Sequence, residues 1–265
     1  MLIMVSTELD FGEYIEFEKK KRFGIITLNR IHRANSFSIE QLENLKKAVK
    51  YCQENQGIRI IILTHNGNSF STGMDLGAID GSDHDAVKYL EKTAADICKL
   101  LYNGKPVICA VDGRCWGEGA VYMICSDYRI ATRESSFWFP EINSGIFPGT
   151  GCIILYSKII GIPWTKKMLM FAEKVTPETA KNINLIDDIV NSKEELMKLA
   201  IKKAQFISTK NQTVINAIKL CSNHLMDMHY DEAYEIEKQG SAWWEHRDKN
   251  QFIEDFRKLF DKSEN

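Results

Sequence analysis

The alternation of apolar and polar positions divides the chain into short strands and longer helices. Two β-rich runs, Tyr14 to Phe17 and Gly24 to Leu28, flank the basic sequence KKKR and predict an opening hairpin. A helical pattern follows Ser38, which is a candidate N-cap residue. Apolar residues recur there at helical spacing, at Ile39, Leu42, Leu45, Val49 and Cys52.

Nearly continuous apolar runs come next, at 58–64 (IRIIILT) and 106–111 (PVICAV), with a helical pattern between them from about 83 to 101. Such runs fit strands that are buried on both faces, as in a parallel sheet. Beyond Gly151 the patterns are mostly helical, with one strand candidate at 188–190. We therefore expect an α/β core in residues 1–200, followed by a C-terminal helical region in residues 201–265.

Charge and composition argue against several classes of protein. The chain has 34 Lys and Arg against 36 Asp and Glu, for a formal net charge of −2, with both signs interleaved. This balance indicates no basic surface for binding nucleic acid. We expect no membrane partner and a cytoplasmic location, because the apolar runs are short and the N-terminus lacks a leader pattern. The seven cysteines include no CxxC pair and are expected to be reduced.

Histidines offer little support for a metal site. The segment HLMDMH contains His224, Asp227 and His229, which are residue types that bind metals. Their spacing does not place both histidines on one helical face, as a separation of four residues would. We therefore expect no metal.

Glycine-containing loops follow both apolar strands. The first is NGNSFSTGMDLGAI, at 66–79, and the second is DGRCWGEGA, at 112–120. Ligands bind at the carboxyl ends of strands in open α/β sheets, and glycine lets backbone N–H groups approach a ligand closely. Two such loops can aim two N–H donors at one oxygen, which is the geometry of an oxyanion hole. Ordinary turns are the alternative interpretation.

These loops also carry a resemblance to a known family. IIILTHNGNSFSTGMDL, KPVICAVDGRCWGEGA with CSDYRIAT, and FWFPEINSGIFPGTG resemble, in order, motifs of the enoyl-CoA hydratase/isomerase (crotonase) superfamily. LNRIHRANSFS resembles the early motif of the same family, and the likeness runs from about Gly12 to Leu185. The resemblance implies a crotonase-type α/β spiral of ββα units. It also implies C-terminal helices that assemble a homotrimer, or a hexamer as a dimer of trimers.

The resemblance further implies a site for an acyl-CoA or enoyl-CoA substrate. No separate cofactor is expected, since coenzyme A enters as part of the substrate. The backbone N–H groups of Met74 and Glu118 match the pair that holds the thioester carbonyl oxygen in the family. The CoA arm is expected to lie along Arg33, Ala34, Ser71, Gly73, Asp75 and Leu76.

The acids depart from the family pattern. Hydratases of the family use two glutamates; Glu141 matches one of them, and Val121 fills the position of the other. Glu141 follows the apolar run FWFP, so we expect burial to raise its pKa and make it a general acid/base. One glutamate suffices to move a proton between C2 and C4 of an enoyl thioester, whereas water addition usually needs a second group. The resemblance thus indicates an enoyl-CoA hydratase or isomerase. Acyl-CoA decarboxylation, thioester hydrolysis and non-catalytic CoA binding are the alternatives.

Glu118 stands where the family usually has glycine. It precedes Val121 by three residues and therefore shares its helical face, near the positive end of the helix dipole. Two interpretations are open. Glu118 is either a relocated second acid or a helix-end carboxylate that backbone N–H groups satisfy. Trp116 and Phe147 are each candidates for the acyl pocket or for the core.

Overall fold

The structure, a computed structural model, describes residues 9–75, 77, 83–225, 236, 239, 246 and 248–260. Its strands are β1 Ile15–Lys20, β2 Phe23–Leu28, β3 Ile60–His65, β4 Ser69–Ser71, β5 Val107–Val111, β6 Arg114–Trp116, β7 Tyr128–Thr132, β8 Ser136–Trp138 and β9 Asp188–Val190. Its α-helices are α1 Ile39–Glu54, α2 His84–Asn103, α3 Glu118–Ile124, α4 Cys152–Met170, α5 Pro177–Asn182, α6 Lys193–Ser208, α7 Gln212–His224 and α8 Lys249–Lys258.

The strands form two sheets that the chain visits in turn. A six-stranded sheet has the order β1-β2-β3-β5-β7-β9, and a three-stranded sheet has the order β4-β6-β8. Only the β1–β2 hairpin is antiparallel among these pairs. From β3 to α4, each unit gives one strand to each sheet and then a helix, and β9 with α6 adds a last strand and helix to the large sheet. This confirms the expected spiral of ββα units.

Burial on both faces explains the continuous apolar run in β3. Every residue from Ile60 to His65 is buried, and the strand lies between β2 and β5. Ile61 and Leu63 join the main core with α1, α2 and α3. Ile60 and Ile62 face the other way and pack with α6. Because side chains alternate across a strand, a strand covered on both faces needs apolar residues at consecutive positions.

The predicted element boundaries are confirmed to within a few residues. Ser38 caps α1, where its hydroxyl accepts a hydrogen bond from Gln41 N at 3.2 Å. The hairpin strands extend further than expected, so that the turn is Lys21 and Arg22 alone. β3 begins at Ile60 instead of Ile58, since Ile58 N donates to Asn55 O in a turn after α1.

The C-terminal helices pack on the core through polar and apolar contacts. Lys219 of α7 is buried, and its Nζ donates to Asp127 Oδ2 at 2.7 Å and to Leu101 O at 2.7 Å. α6 crosses residue 200, so the division between residues 1–200 and 201–265 stays a prediction that cuts one helix. Trp243 and Trp244, expected in an assembly surface, lie outside the described residues. No helix in the described ranges is long and apolar enough to cross a membrane.

Candidate active site

The loop after β4 holds the Met74 N–H in a defined direction. Phe37 N donates to Gly73 O at 2.8 Å, and Asp75 N donates to Phe37 O at 3.0 Å, which forms a parallel bridge between Phe37 and Met74. In such a bridge the N–H and C=O of the bridged residue point away from its partner. The Met74 N–H therefore points away from Phe37.

The second donor lies where β6 turns into α3. Gly117 has φ +50° and donates its N–H to Trp138 O at 2.9 Å, so Glu118 begins the helix. A Cβ on Gly73 would stand 3.4 Å from Glu118 N and 3.3 Å from Trp116 O. The two loops thus touch at this point. Neither Met74 nor Glu118 donates its N–H to a backbone carbonyl among the described residues.

The Glu141 carboxylate lies directly over this junction. Glu141 starts a 3-10 turn at Glu141–Ser144, and a Cβ on Gly117 would stand 2.7 Å from Glu141 Oε1. Its other oxygen, Oε2, is buried without a hydrogen-bond partner in the described structure. Burial raises the pKa of Glu141 above the usual glutamate value, as the apolar run FWFP indicated. A buried carboxyl oxygen without a partner is available to give or take a proton.

The Glu118 side chain is buried beneath the same junction. Thr150 Oγ1 donates to Glu118 Oε2 at 2.9 Å, and the Cys98 thiol lies 3.7 Å from Oε1. Burial raises the pKa of Glu118 to about 7; Thr150 and Cys98 oppose this shift, and the nearby charge of Glu141 adds to it. The hydrogen-bond partners of this carboxylate are side chains. They are not the backbone N–H groups expected for a helix-end carboxylate. The structure therefore brings two carboxyl groups together around Gly117.

The remaining neighbours of Glu118 are neutral. Val121 is buried in α3, where the family pattern has its other glutamate. The Tyr122 hydroxyl is buried without a hydrogen bond of ordinary geometry. Burial is the main cause of its raised pKa, and the Glu118 charge is the second cause. None of the groups that most affect the pKa of Glu118 or Glu141 is a lysine or arginine. The site is thus acidic, and burial is the main cause of the raised pKa of both carboxyl groups.

The loop that precedes α1 lies against the Met74 segment. Arg30 Nη1 donates to Asp75 Oδ2 at 2.7 Å, and Arg33 Nε lies 3.5 Å from the same oxygen. Burial alone would raise the pKa of Asp75, but these cations outweigh it and hold the pKa below its usual value. The Arg33 side chain is 52% exposed, so its guanidinium also faces solvent. Ala34 has φ +52° and ends the turn.

Other candidates are placed as follows. The Ser71 hydroxyl is fully buried; it donates to Asn35 O at 2.7 Å and accepts from Gly73 N at 3.1 Å. Trp116 packs edge-on against Trp138 in the small sheet, and Phe147 is 74% exposed. Leu76 lies outside the described residues.

Sequence reasoning missed three residues that build the site. Asn35 donates to Asn66 O and Ser69 O and accepts from Arg30 N, so it ties the early loop to β4. Cys98 and Thr150 hold the Glu118 carboxylate. No periodic pattern distinguishes any of these residues. Asn35 has a φ of +54°, a conformation that asparagine tolerates better than most residues. The residue type itself is therefore the signal in the sequence for this turn.

Metal-binding residue types are dispersed. Among the described ranges, no group of three or more His, Cys, Asp or Glu residues is arranged to hold a metal ion. His224 lies 2.9 Å from Asn103 Oδ1 and stacks on Phe260. Asp227 and His229 lie outside the described residues.

This arrangement suits chemistry at a carbonyl compound. Two N–H donors on adjoining loops can share one oxygen, and two carboxyl groups with raised pKa lie beside them. Such donors stabilise negative charge that develops on a carbonyl oxygen when a proton leaves or joins the neighbouring carbon. Such a site is typical of enzymes that act on a carbonyl compound.

Comparison with known proteins places the chain within that class. It is similar to the solved structure of enoyl-CoA hydratase from Bacillus anthracis, with a TM-score of 0.83 and 24% identity, over 93% of this chain and 97% of that one. At that identity the likeness shows the fold, which is the crotonase fold. The profile of the family Enoyl-CoA hydratase/isomerase matches residues 18–257. The chain belongs to this family.

Two relatives illustrate the range of named activities. The chain is 28% identical to crotonyl-CoA hydratase from Syntrophomonas wolfei subsp. wolfei, over 85% of this chain and 87% of that protein. It is 30% identical to ethylmalonyl-CoA decarboxylase from Bos taurus, over 88% of this chain and 78% of that protein.

Proposed function

We propose that this protein hydrates a 2-enoyl-CoA thioester, with Glu141 and Glu118 as its acid/base pair. The observation that carries the proposal is that Glu141 Oε1 lies against Gly117, while the next residue, Glu118, has a buried carboxyl group whose pKa the Glu141 charge raises further. Two like charges in a buried site resist simultaneous ionisation, so the pair tends to keep one proton. Hydration needs this combination of one acid and one base. The family membership and the crotonyl-CoA hydratase relative support the substrate class.

The proposed reaction assigns one step to each group. The thioester carbonyl oxygen accepts hydrogen bonds from the N–H groups of Met74 and Glu118, which stabilise the enolate. The ionised Glu118 carboxylate takes a proton from the water that attacks C3. The protonated Glu141 carboxyl then delivers a proton to C2. The reverse sequence dehydrates the 3-hydroxyacyl product.

The coenzyme A arm is proposed to follow the exposed side of the first two loops. Arg33 is positioned to pair with a phosphate, since its guanidinium faces solvent while Asp75 anchors it from below. Ala34, Gly73 and Leu76 are proposed as backbone contacts. The Ser71 hydroxyl faces Asn35 and Gly73, so we assign it the role of shaping the loop.

The test is loss of the conjugated enoyl absorbance of crotonyl-CoA with the purified full chain. Glu141→Gln and Glu118→Gln are each expected to lower kcat by about 10²–10⁴-fold, the range for a lost general acid or base. Glu178→Gln is the matched control, because that carboxylate pairs with Arg133 on the surface and its side chain is 57% exposed. Full hydratase activity in Glu118→Gln would contradict the two-acid proposal.

A single-acid isomerase is the second candidate, and one observation favours it. Both Glu118 oxygens already have neighbours, Thr150 and Cys98, whereas the buried Glu141 oxygen has none. Conversion of a 3-enoyl-CoA to the 2-enoyl form, lost in Glu141→Gln and unchanged in Glu118→Gln, would select isomerisation. A protein that binds CoA but turns over neither substrate would be the non-catalytic alternative.

Charge argues against the decarboxylase and for an uncharged acyl group. A malonyl-type acyl-CoA would bring a carboxylate next to Glu118 and Glu141, where none of the groups with the largest influence on their pKa is a cation. Like charges in a poorly hydrated site repel strongly. We therefore propose a neutral acyl chain on the thioester.

We also propose assembly as a homotrimer, or as a hexamer of two trimers, in a reducing compartment such as the cytoplasm. Exposed apolar side chains on and near α4 support a partner surface, including Ile154, Ile162, Met170 and Phe171. All seven cysteines are free, and six are buried, which fits a reducing environment. Light scattering of the purified protein checks the assembly.

A further inference from the structure

We propose that Thr150 is a positioning residue that fixes the Glu118 carboxylate and sets the pH at which this carboxylate acts as a base. The inference rests on the proposed hydratase function, in which Glu118 takes a proton from water. It assigns a role to a residue that lies in neither glycine loop. The starting observation is the hydrogen bond from Thr150 Oγ1 to Glu118 Oε2, at 2.9 Å.

The position of Thr150 in the chain makes this bond a link between the two acids. Thr150 lies in the segment that joins the Glu141–Ser144 turn to α4, while Glu118 starts α3. Residues 145–151, which join the turn to α4, are mostly exposed. The Thr150 hydroxyl therefore ties the segment that follows the Glu141 turn to the Glu118 carboxylate.

The surroundings of Glu118 leave few other groups to control its ionisation. The groups that face it are Cys98 from α2, Tyr122 from its own helix, Cys152 from α4 and Glu141 from the 3-10 turn. Burial raises the pKa of Tyr122 and of Cys152 well above their usual values. The hydrogen bond with Cys125, together with burial, does the same for Cys98. These three groups stay neutral near pH 7. Glu141, whose pKa burial also raises, is then the other carboxyl group in the set.

The sign of the effect follows from the hydrogen bond. The Thr150 hydroxyl donates to a carboxylate oxygen, so it favours the ionised form of Glu118 and opposes the upward shift caused by burial. Its removal raises the pKa of Glu118 further. Because the ionised form is the base in hydration, the ascending limb of the pH profile must move to higher pH.

The experiment compares Thr150→Val with Thr150→Ser in the full chain. We expect the ascending limb of kcat/KM for crotonyl-CoA hydration to move upward by about one pH unit in Thr150→Val, the size expected for a hydrogen bond to a charged group. Activity recovers above the shifted limb. Thr150→Ser keeps the hydroxyl and is expected to keep the wild-type limb.

Thr132→Val is the matched control. Thr132 Oγ1 donates to Asp112 Oδ1 at 2.6 Å, so this variant also loses a hydrogen bond from a threonine to a carboxylate, but away from the site. It is expected to keep the wild-type limb. A loss of kcat/KM in Thr150→Val that is equal at all pH values, with no movement of the limb, would overturn the inference.

A second readout separates this inference from the proposed function. The Glu118 carboxyl is titrated by NMR of protein labelled at glutamate carboxyl carbons, and its resonance is assigned as the one absent from Glu118→Gln. An upward shift of this titration in Thr150→Val supports the role of Thr150 even if crotonyl-CoA is not hydrated. An unshifted titration overturns that role even if Glu118→Gln abolishes hydration.

Discussion

Substitution of Gly73 by alanine tests whether the contact between the two glycine loops serves catalysis. Gly73 has φ +89°, and a Cβ there would lie 3.3 Å from Trp116 O and 3.4 Å from Glu118 N. The left-handed backbone costs an alanine about 1–3 kcal/mol. With a fall in Tm of roughly 2–4 °C for each kcal/mol, the variant is expected to remain folded at 25 °C.

The expected loss of activity is separate from this loss of stability, because the variant remains folded in the assay. The new methyl group can be accommodated only if the two loops separate by a few tenths of an ångström, which moves the Met74 and Glu118 donors off a shared oxygen. Removal of one oxyanion-hole donor typically costs about 10²–10³-fold in kcat. We expect Gly73→Ala to lower kcat for crotonyl-CoA about 100-fold, equivalent to about 2.7 kcal/mol.

The assay measures kcat at 25 °C together with Tm, and Gly161→Ala is the control. Gly161 also has a positive φ, +75°, at the kink in α4, but an added Cβ meets nothing closer than Pro163 at 3.7 Å. This variant is expected to lose stability and keep its kcat. Wild-type kcat in Gly73→Ala would refute the view that these loops form the oxyanion hole.

Three further predictions concern stability. Burial raises the pKa of Glu118 to about 7 from 4.5, so the folded state loses up to about 3 kcal/mol of stability as pH rises through this range. In urea unfolding, the free energy of unfolding of Glu118→Gln relative to the wild type should therefore be higher at pH 8 than at pH 5. Burial lowers the pKa of His65 to about 4 from 6.5, so the wild type should lose up to about 3 kcal/mol between pH 6.5 and pH 4, and His65→Gln should lose less. Lys219→Met removes a buried ammonium that bonds Asp127 and Leu101 O, and should cost about 2 kcal/mol in the same assay, whereas Lys92→Met, at a 74% exposed side chain, should cost less than about 1 kcal/mol. Equal losses in the two lysine variants would contradict the role given to Lys219.

The fold was accessible from the sequence because local signals agree with the tertiary structure. The continuous apolar run that contains β3 predicted burial on both faces, and Ser38 predicted the start of α1. The family resemblance then supplied the spiral, which periodicity alone does not specify. The short strands β4, β6 and β8 were not identified from pattern, since three residues are too few to show an alternation.

The site was accessible only in part. Glu141 and the Met74 and Glu118 positions came from motifs, and the apolar run before Glu141 correctly indicated a raised pKa. The partners of the Glu118 side chain could not be predicted from any motif. Cys98 lies 20 residues before Glu118 and Thr150 lies 32 residues after it, so their meeting depends on how α2 and the loop before α4 pack. Tertiary contacts of this kind leave no periodic trace in a sequence.

The parallel pairing of β4 with β6 has a consequence for how this site can change during evolution. Both donor residues lie just beyond neighbouring strands of one small sheet, where Ser71 pairs with Cys115. The separation of the donors is thus tied to the spacing between adjacent strands, about 4.8 Å, and no side chain takes part. The side chain at position 118 can therefore change during evolution without moving the proposed pair of N–H donors. In the proposed reaction, a glutamate there adds an acid while the backbone N–H groups still bind the substrate oxygen.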